Sequence, residues 1–332
     1  MYKYQVYGLG NALVDKEFEV TDDFLQQNNI EKGLMTLIEE DLHVTLLDKL
    51  TTEFGLKKRV GGGSAANSLV ALAQFGGRAF LACKVGDDET GQFYVDNLKQ
   101  AGVDTRIAEL DVSGQTGKCM VMVTSDAERT MNTYLGITAD FSEQELFLEE
   151  LPQAEYLYIE GYLVTSDKAR AAIIKARQAA DAAGIKVAMT FSDPAMVKYF
   201  KEGVEEVLGD KPVDILFCNA EEATTFAGEA DLDKAATKLL QRAKQVAITC
   251  GADGACVYTG AEKVQVAAPT ITPVDSNGAG DMFAGAYLYA ITQNWNIEKA
   301  ALFACASAAE VVKHFGPRIS KESQQELLAK FN

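Results

Sequence analysis

Two aspartates bracket a turn of small residues in the stretch DSNGAGDMFAGAYLYA, residues 275–290. Gly278, Ala279 and Gly280 carry almost no side chain, and an apolar, helix-like run follows them directly. The backbone N–H groups at the start of a helix attract negative charge, and glycine lets a ligand come close to them. We therefore predict that this turn binds an anion such as a phosphate group.

An acid inside an anion site needs a chemical task, because its charge repels the anion. If Asp281 faces a bound hydroxyl, it can accept the hydroxyl proton while the N–H groups of residues 278–280 stabilise a transferring phosphoryl group. A weak base is sufficient, because the hydroxyl keeps its proton until late in a loose transition state. In the alternative, Asp281 only complements the helix dipole and Asp275 is an ordinary turn residue.

A second polar pair follows the apolar run at residues 213–218. Asn219 and Glu222 are three residues apart at the start of a predicted helix, so their side chains share a face. An amide and a carboxylate of this kind can hold a hydrated Mg²⁺, which takes one or two side-chain oxygens together with water and phosphate. The alternative is that Glu221 and Glu222 are acids of a helical first turn.

Two further stretches offer groups for a nucleotide and for a polyol. The run AITCGADGACVYT, residues 247–259, predicts a β-hairpin whose Thr249 and Gly251 could meet a nucleotide phosphate. Near the start of the chain, Asn11, Asp15 and Asn67 could supply amide and carboxylate groups for adjacent hydroxyls. The patterns G-x-G-x-x-G and G-x-x-x-x-G-K-[ST] are both absent, which disfavours a dehydrogenase and a P-loop enzyme.

The elements that must position these residues alternate along the chain. Six strand-like runs alternate with helix-like stretches such as residues 64–76, 167–184 and 231–244. This order predicts an α/β fold in which helices cover both faces of a parallel sheet, with ligands at the carboxyl ends of the strands.

Two segments depart from this alternation. Residues 12–60 and about 103–136 look strand-rich and carry turn signals in place of long crossover helices. We expect them to pair into a small sheet that covers the ligand site as a lid. No repeat or linker divides the sequence, so residues 1–332 are expected to form a single domain.

Composition excludes several classes of function. The chain has 31 Lys and Arg against 48 Asp and Glu, a net charge of −17, and no basic run, so we expect no nucleic-acid or membrane partner. The six cysteines are scattered, the sequence does not start like a leader, and it has no apolar run of 18 residues. We therefore expect a cytoplasmic protein. His43 and His314 lack partners at ligand spacing, so we expect ordinary surface or capping residues.

Three motifs resemble those of the ribokinase (PfkB) family of carbohydrate and nucleoside kinases, occur in the family's order along the sequence, and extend the resemblance over nearly the whole chain. Residues 275–283 resemble the signature D-T-x-G-A-G-D-x-F, with departures at Ser276 and Asn277. Residues 61–91, GGGSAANSLVALAQFGGRAFLACKVGDDETG, resemble the other signature, and Asn219 to Glu222 matches the N-x-x-E motif.

The resemblance implies a three-layer α/β/α ribokinase-like fold with a β-rich lid, and phosphoryl transfer from ATP with Mg²⁺ to an alcohol group. It implies that Asp281 is the base, that Gly278, Ala279 and Gly280 form the anion hole, and that Arg129 reaches the phosphates when the lid closes. The residues implied to hold the acceptor are Asn11, Asp15, Gly62, Gly63, Ser64, Asn67 and Asp281. Those implied for ATP are Asn219, Thr249, Gly251, Gly254, Gly278 and Gly280, with Glu222 beside the magnesium. Many family members also bind a monovalent cation such as K⁺, here implied at Asp275, Asn277, Val311, Gly316 and Ser320.

The acceptor is predicted from the lid. GLGNALVD and the run TGKCMVMVTSDAERTMNTYL are most similar to the adenosine-kinase branch, and residues 33–41, GLMTLIEED, are apolar and then acidic. This apolar stretch suits a neutral substrate with a flat apolar base, so we predict an ATP-dependent kinase that phosphorylates the primary hydroxyl of a nucleoside such as adenosine. We expect the kinase to be a monomer or a homodimer. The alternatives are a sugar kinase for ribose, fructose or 2-keto-3-deoxygluconate, and a nucleoside-binding regulator without catalysis.

Overall fold

The computed structural model describes residues 2–110 and 112–331. The strands in this part of the chain are β1 Tyr4–Leu9, β2 Leu13–Glu19, β3 Met35–Leu37, β4 Lys58–Gly62, β5 Ala79–Ala82, β6 Val103–Asp104, β7 Gly117–Val123, β8 Arg129–Tyr134, β9 Ala154–Ile159, β10 Lys186–Thr190, β11 Val213–Asn219, β12 Ala243–Thr249, β13 Ala255–Thr259 and β14 Lys263–Val266. The α-helices are α1 Asp22–Gln27, α2 Glu40–Glu53, α3 Ser64–Gln74, α4 Glu89–Ala101, α5 Asp167–Ala183, α6 Pro194–Tyr199, α7 Lys201–Leu208, α8 Ala220–Ala227, α9 Leu232–Leu239, α10 Ala279–Thr292, α11 Ile297–Val311 and α12 Lys321–Phe331.

The large sheet has nine strands in the order β14-β13-β12-β11-β10-β9-β1-β5-β6. Its strands from β12 to β6 run parallel, and β13 and β14 add antiparallel pairs at one edge. The central strands are apolar on both faces because helices α3, α4, α10 and α11 bury one face and α5 to α9 bury the other. The predicted α/β fold is therefore confirmed, with the helix predicted over 231–244 ending at Leu239.

The small sheet has five strands in the order β3-β8-β7-β2-β4 and draws them from both segments that depart from the alternation. Strand β2 pairs antiparallel with β4 and parallel with β7, and β8 pairs antiparallel with β7 and parallel with β3. Because β2 lies between β7 and β4 in this sheet, it connects the hairpin of β7 and β8 to the strand that leads into α3.

Helix α2 corrects the expectation that residues 12–60 lack a long helix. It has fourteen residues, and it buries His43, Leu46 and Leu50 along one face against the small sheet. Its four β-branched residues favour a strand locally, but burial of this apolar face stabilises the helix. His43, expected at the surface, is only 3% exposed and lies beside Tyr134, and its burial lowers the pKa of the imidazole to about 4.

Helices α3 and α10 approach each other very closely. A Cβ atom on Gly285 of α10 would lie 2.1 Å from the carbonyl oxygen of Ser68 and 2.7 Å from Cβ of Ala71, both on α3. Only glycine leaves room for this backbone contact. The contact brings the first turns of the two helices, which carry several predicted site residues, next to each other.

No helix in residues 2–110 and 112–331 has both the length and the apolar character needed to cross a membrane.

Gly285→Ala is expected to lower the free energy of unfolding by about 1–3 kcal/mol, because the added methyl group overlaps the Ser68 carbonyl. This loss should appear even though alanine is the better helix former. Gly280→Ala is the matched control, since no atom lies within 4 Å of its Cβ position in the same helix. Urea unfolding followed by circular dichroism compares the two variants. A Gly285→Ala variant as stable as the wild type would contradict the close packing.

Candidate active site

A cavity of about 460 Å³ lies between the carboxyl ends of the large sheet's strands and the small sheet. This volume is typical of small-molecule sites. The predicted residues that line it are Asn11, Asp15, Gly63, Ser64, Asn67, Arg129, Asn219, Glu222, Thr249, Gly251, Asn277, Gly278, Ala279, Gly280 and Asp281. The predicted residues outside this lining are Gly62, Gly254, Asp275, Val311, Gly316 and Ser320.

The Asp281 carboxylate is held by two side chains from α3. Ser64 Oγ donates to Asp281 Oδ1 at 2.6 Å, and Asn67 Nδ2 donates to Asp281 Oδ2 at 3.0 Å. Burial in the cavity wall raises the pKa of Asp281, while these two hydrogen bonds and the charge of Arg129 oppose the rise. Asp281 is therefore a fixed carboxylate that is a better base than an exposed aspartate.

The turn before α10 combines a left-handed glycine with an open helix start. Gly278 has φ of 74°, and a Cβ atom there would lie 2.4 Å from Cβ of Pro317, so this position requires glycine. Asp275 Oδ1 accepts the Asn277 N–H, and Asp275 Oδ2 accepts the N–H of Gly316. Asp275 thus ties the turn to the C-terminal loop and does not reach the cavity.

The part of the cavity wall around Asn11 rests on a buried acid that the sequence analysis missed. Glu160 Oε1 accepts the backbone and side-chain N–H groups of Asn11, and Glu160 Oε2 accepts the N–H of Ala65. Its burial raises the pKa to about 7. Glu160 directly follows β9, so the search for polar residues at strand ends, which found Asn219, would also have found it.

Asp15 projects from the small sheet, and Gly62 makes room for it. A Cβ atom on Gly62 would lie 2.2 Å from the Asp15 carboxylate oxygens, which explains why Gly62 is close to the site without lining it. Burial, followed by the charges of Glu17 and Asp281, raises the pKa of Asp15 well above its usual range, and the Arg318 guanidinium opposes this. Hydrogen-bond donors from a ligand would favour its charged form.

Asn219 and Glu222 form a reciprocal cap at the start of α8. Glu222 N donates to Asn219 Oδ1, and the Asn219 backbone and side-chain N–H groups donate to the two Glu222 oxygens at 2.9 and 3.0 Å. Burial raises the pKa of Glu222 to about 8. Glu222 is therefore a first-turn acid, as the alternative expected, and the pair it forms with Asn219 also lines the cavity.

The hairpin of β12 and β13 is present as predicted, and its two turn glycines differ in role. Thr249 and Gly251 line the cavity, and no atom lies within 4 Å of a Cβ atom on Gly251. A Cβ atom on Gly254 would lie 2.0 Å from the Val266 carbonyl oxygen, so Gly254 shapes the hairpin and does not face the cavity.

The small sheet supplies an apolar wall. The residues concerned are Leu13, Met35, Leu37, Cys119, Met131 and Leu135. From the stretch 33–41, only the apolar half reaches the wall, because its acids begin helix α2. Among the described residues that line the cavity, Arg129 is the only Lys or Arg.

The model of the pfkB family of carbohydrate kinases matches residues 39–324. The chain belongs to this family. It is thus a phosphotransferase with an alcohol group as acceptor, a carbohydrate or nucleoside kinase.

Solved structures and relatives cover this kinase from end to end. The structure of a probable sugar kinase protein of Rhizobium etli is 30% identical with a TM-score of 0.94, and each chain covers 100% of the other. The adenosine kinase of Sinorhizobium meliloti is 34% identical with a TM-score of 0.92, covering 98% of this chain and 99% of its own. Adenosine kinase 2 of Arabidopsis thaliana is 27% identical over 333 residues, 93% of this chain and 94% of its own. The ribokinase-like fold is thereby confirmed.

Removal of the hydroxyl in Ser64→Ala is expected to raise the pKa of Asp281. The lost hydrogen bond favours the charged carboxylate, so its removal favours the protonated form. Carbon-13 NMR titration of labelled aspartates measures the change, with the Asp281 signal assigned from an Asp281→Asn sample.

Ser68→Ala is the matched control for this titration. Ser68 lies one turn further along α3 and bonds to the Tyr158 hydroxyl instead of Asp281. The Asp281 titration should be the same in this control and in the wild type. A lower or unchanged pKa in Ser64→Ala would show that Ser64 does not stabilise the charged carboxylate.

Proposed function

We propose that this kinase transfers the γ-phosphate of ATP to the primary hydroxyl of a neutral, ribose-containing substrate, a nucleoside such as adenosine. One observation carries the proposal: the Asp281 carboxylate, held by Ser64 and Asn67, lies between a bare helix start and an apolar wall. A base between an anion site and a pocket for an uncharged group suits phosphoryl transfer to an alcohol.

The acceptor hydroxyl is placed against Asp281, which takes its proton as the bond to phosphorus forms. Asn11, fixed through its amide by Glu160, and the Asp15 carboxylate receive the neighbouring hydroxyls of the ribose. Asn67 Oδ1 is buried and has no hydrogen-bond partner among the described residues, so it offers another acceptor at the same place. Hydroxyl donors would satisfy these groups without bringing charge.

The transferring phosphoryl group lies against the N–H groups at residues 278–280, where α10 begins. Gly280 is exposed to the cavity, and nothing within 4 Å of its Cβ position blocks the approach of an oxygen. Arg129, at the start of β8, supplies the positive charge from the opposite side. Together they stabilise charge on the oxygens that do not take part in bond making.

ATP lies along the carboxyl ends of β11 and β12, with Thr249 and Gly251 beside its phosphates and Gly254 shaping the turn. When bound, Mg²⁺ would offset the negative charge of the phosphate groups. Glu222 and Asn219 fit such an ion through water, because Glu222 is a buried carboxyl whose raised pKa falls when a cation is near. No cluster of three or more His, Cys, Asp or Glu suited to a metal occurs in the described part of the chain, which fits an ion shared with phosphates.

The nucleoside class follows from the wall of the small sheet. Its lining from Leu13, Met35 and Met131 is apolar, and Arg129 is its one cation among the described lining residues. A sugar phosphate or a sugar acid would need further cations there, whereas a flat uncharged base buries apolar area. The similarity to the adenosine kinase of Sinorhizobium meliloti supports the same class.

The small sheet is proposed to act as a lid on one kinase domain that comprises residues 1–332. The Ser276 N–H donates to the Ala127 carbonyl, so the turn between β7 and β8 contacts the anion-binding turn directly. A lid in this position excludes water from the γ-phosphate until the acceptor is bound. Six free cysteines fit a reducing compartment, and we propose a cytoplasmic location.

The acceptor is tested by ADP release from Mg-ATP with adenosine, other nucleosides, ribose, fructose and 2-keto-3-deoxygluconate. Adenosine is expected to give the highest kcat/KM, and Asp281→Asn is expected to lower kcat by about 10²–10⁴ while adenosine still binds. Turnover with a free sugar alone would refute the nucleoside assignment but leave the role of Asp281 as the catalytic base unchanged. Near wild-type kcat in Asp281→Asn would remove this residue from the mechanism, and no turnover with any acceptor would favour a regulator.

Gly280→Ala tests the anion hole by its effect on activity without a loss of stability. The added methyl group points into open space in the cavity and alanine is the better helix former, so the variant should unfold at the same urea concentration as the wild type or at a slightly higher one. It should still lower kcat by about 10²-fold, because the methyl group keeps the phosphoryl oxygens away from the N–H groups. Steady-state kinetics with the preferred acceptor measures this effect. Full activity would show that the phosphoryl group does not approach this turn.

A further inference from the structure

A group of charged and polar residues lies behind the anion-binding turn, where the small sheet, this turn and the C-terminal loop meet. We call it the junction cluster; its members are Glu17, Lys58, Asp275, Asn277 and Gly316. Glu17 of β2 and Lys58 of β4 are directly opposed in the antiparallel pair, so their side chains lie on the same face. Asn277 Nδ2 donates to Glu17 Oε1 at 3.3 Å, which joins the small sheet to the turn.

The Lys58 ammonium lies against the C-terminal loop. Lys58 Nζ donates to the Phe315 carbonyl at 2.7 Å, and a Cβ atom on Gly316 would lie only 2.4 Å from Nζ. The N–H of Gly316 in turn donates to Asp275 Oδ2 at 2.8 Å. Lys58 and Asp275 therefore bind the two polar groups of one peptide bond, between Phe315 and Gly316, from the small sheet and from the anion-binding turn.

The acids of the cluster need this positive charge. Glu17 and Asp275 are both fully buried, and Glu17 Oε2 has no hydrogen-bond partner among the described residues. Burial raises the pKa of both carboxyls, that of Glu17 to about 7, while the charge of Lys58 opposes the rise in each. With Glu17 protonated, the ammonium and the Asp275 carboxylate balance each other.

The residues implied to hold a free monovalent cation do not fit one. Both Asp275 oxygens accept backbone N–H groups, and the Val311 carbonyl accepts the N–H of His314. The Ser320 hydroxyl and carbonyl accept N–H groups at the start of α12. The Lys58 ammonium lies only 2.4 Å from the Cβ position of Gly316, so a positive charge already packs against this residue. Each of these oxygens already accepts an N–H group, and the ammonium beside Gly316 would repel a second cation at this place.

We propose that the Lys58 ammonium is a tethered substitute for the free monovalent cation, so that phosphoryl transfer by this kinase needs neither K⁺ nor Na⁺. Lys58 touches neither substrate nor ATP, and it is a positioning residue. It holds the C-terminal loop, and through Asp275 the turn whose N–H groups face the phosphate. The inference rests on the proposed anion hole at residues 278–280 and is independent of which alcohol accepts the phosphoryl group.

The first arm of the test compares the wild type in KCl, NaCl and choline chloride at equal ionic strength. Turnover with Mg-ATP and the preferred acceptor, and the melting temperature without substrates, should be the same in all three salts. Higher turnover or a higher melting temperature in KCl or NaCl than in choline chloride would overturn the proposal.

The second arm uses two variants that remove the charge of Lys58 and replace its side chain with a short or a long apolar one. Lys58→Ala leaves a space beside Gly316, and in choline chloride its kcat should fall about 10- to 100-fold because the turn loses its position. KCl or methylammonium chloride should restore much of this loss and raise the melting temperature of Lys58→Ala. Lys58→Met fills the space without charge, so it should lose activity and gain nothing from either salt.

Lys57→Met is the matched control. Lys57 is the preceding residue, and its ammonium pairs with the exposed Glu19 instead of the loop. This variant should behave like the wild type in every salt. Full activity of Lys58→Ala in choline chloride, or loss of activity that no cation restores, would overturn the proposal.

The melting temperatures need no acceptor, and they test this inference separately from the nucleoside assignment. If a sugar is the acceptor, or if none is found, the response of Lys58→Ala to K⁺ still decides between a tethered charge and ordinary packing. A response in this variant and none in the wild type supports the proposal, and equal behaviour of the two refutes it.

Discussion

The close contact of α3 with α10 is the constraint on which the site depends. At Gly285 the two backbones approach so closely that no Cβ atom fits against the Ser68 carbonyl. Asn67, next to Ser68, and Ser64, one turn earlier along α3, hold both oxygens of Asp281 because of the same approach. A shift of either helix by about 1 Å would misplace the carboxylate relative to the anion-binding turn, a change that can cost about 10²-fold in rate.

The same helix pair also connects the two sheets. Helix α3 follows β4 of the small sheet after a single residue, and α10 follows the turn that Asn277 and Ser276 join to that sheet. The position of the small sheet is therefore coupled to the geometry of the anion-binding turn. This coupling gives a physical route by which acceptor binding under the small sheet could complete the phosphate site.

The site is rich in buried carboxyl groups and poor in cations. Asp15, Glu17, Glu160 and Glu222 all have raised pKa values because burial penalises their charged forms. Such groups are stabilised by ligands that bring hydrogen-bond donors or cations, as hydroxyl groups and a metal with phosphates would in the proposed function. In that proposal the large sheet carries the chemistry, and the apolar wall of the small sheet selects the acceptor.

Local patterns in the sequence determined the α/β fold, the strand ends and the bare turn around Asp281, because periodicity and small residues act over a few neighbours. They were sufficient for the family, and most of the site residues predicted from them line the cavity. Helix α2 was missed because its β-branched residues favour a strand locally, and burial against the small sheet overrides them. Only the tertiary structure showed that Lys58 meets Phe315, 257 residues away, and that Glu17 meets Asn277. Contacts of this kind depend on how two sheets are placed, and no short stretch of sequence carries that information.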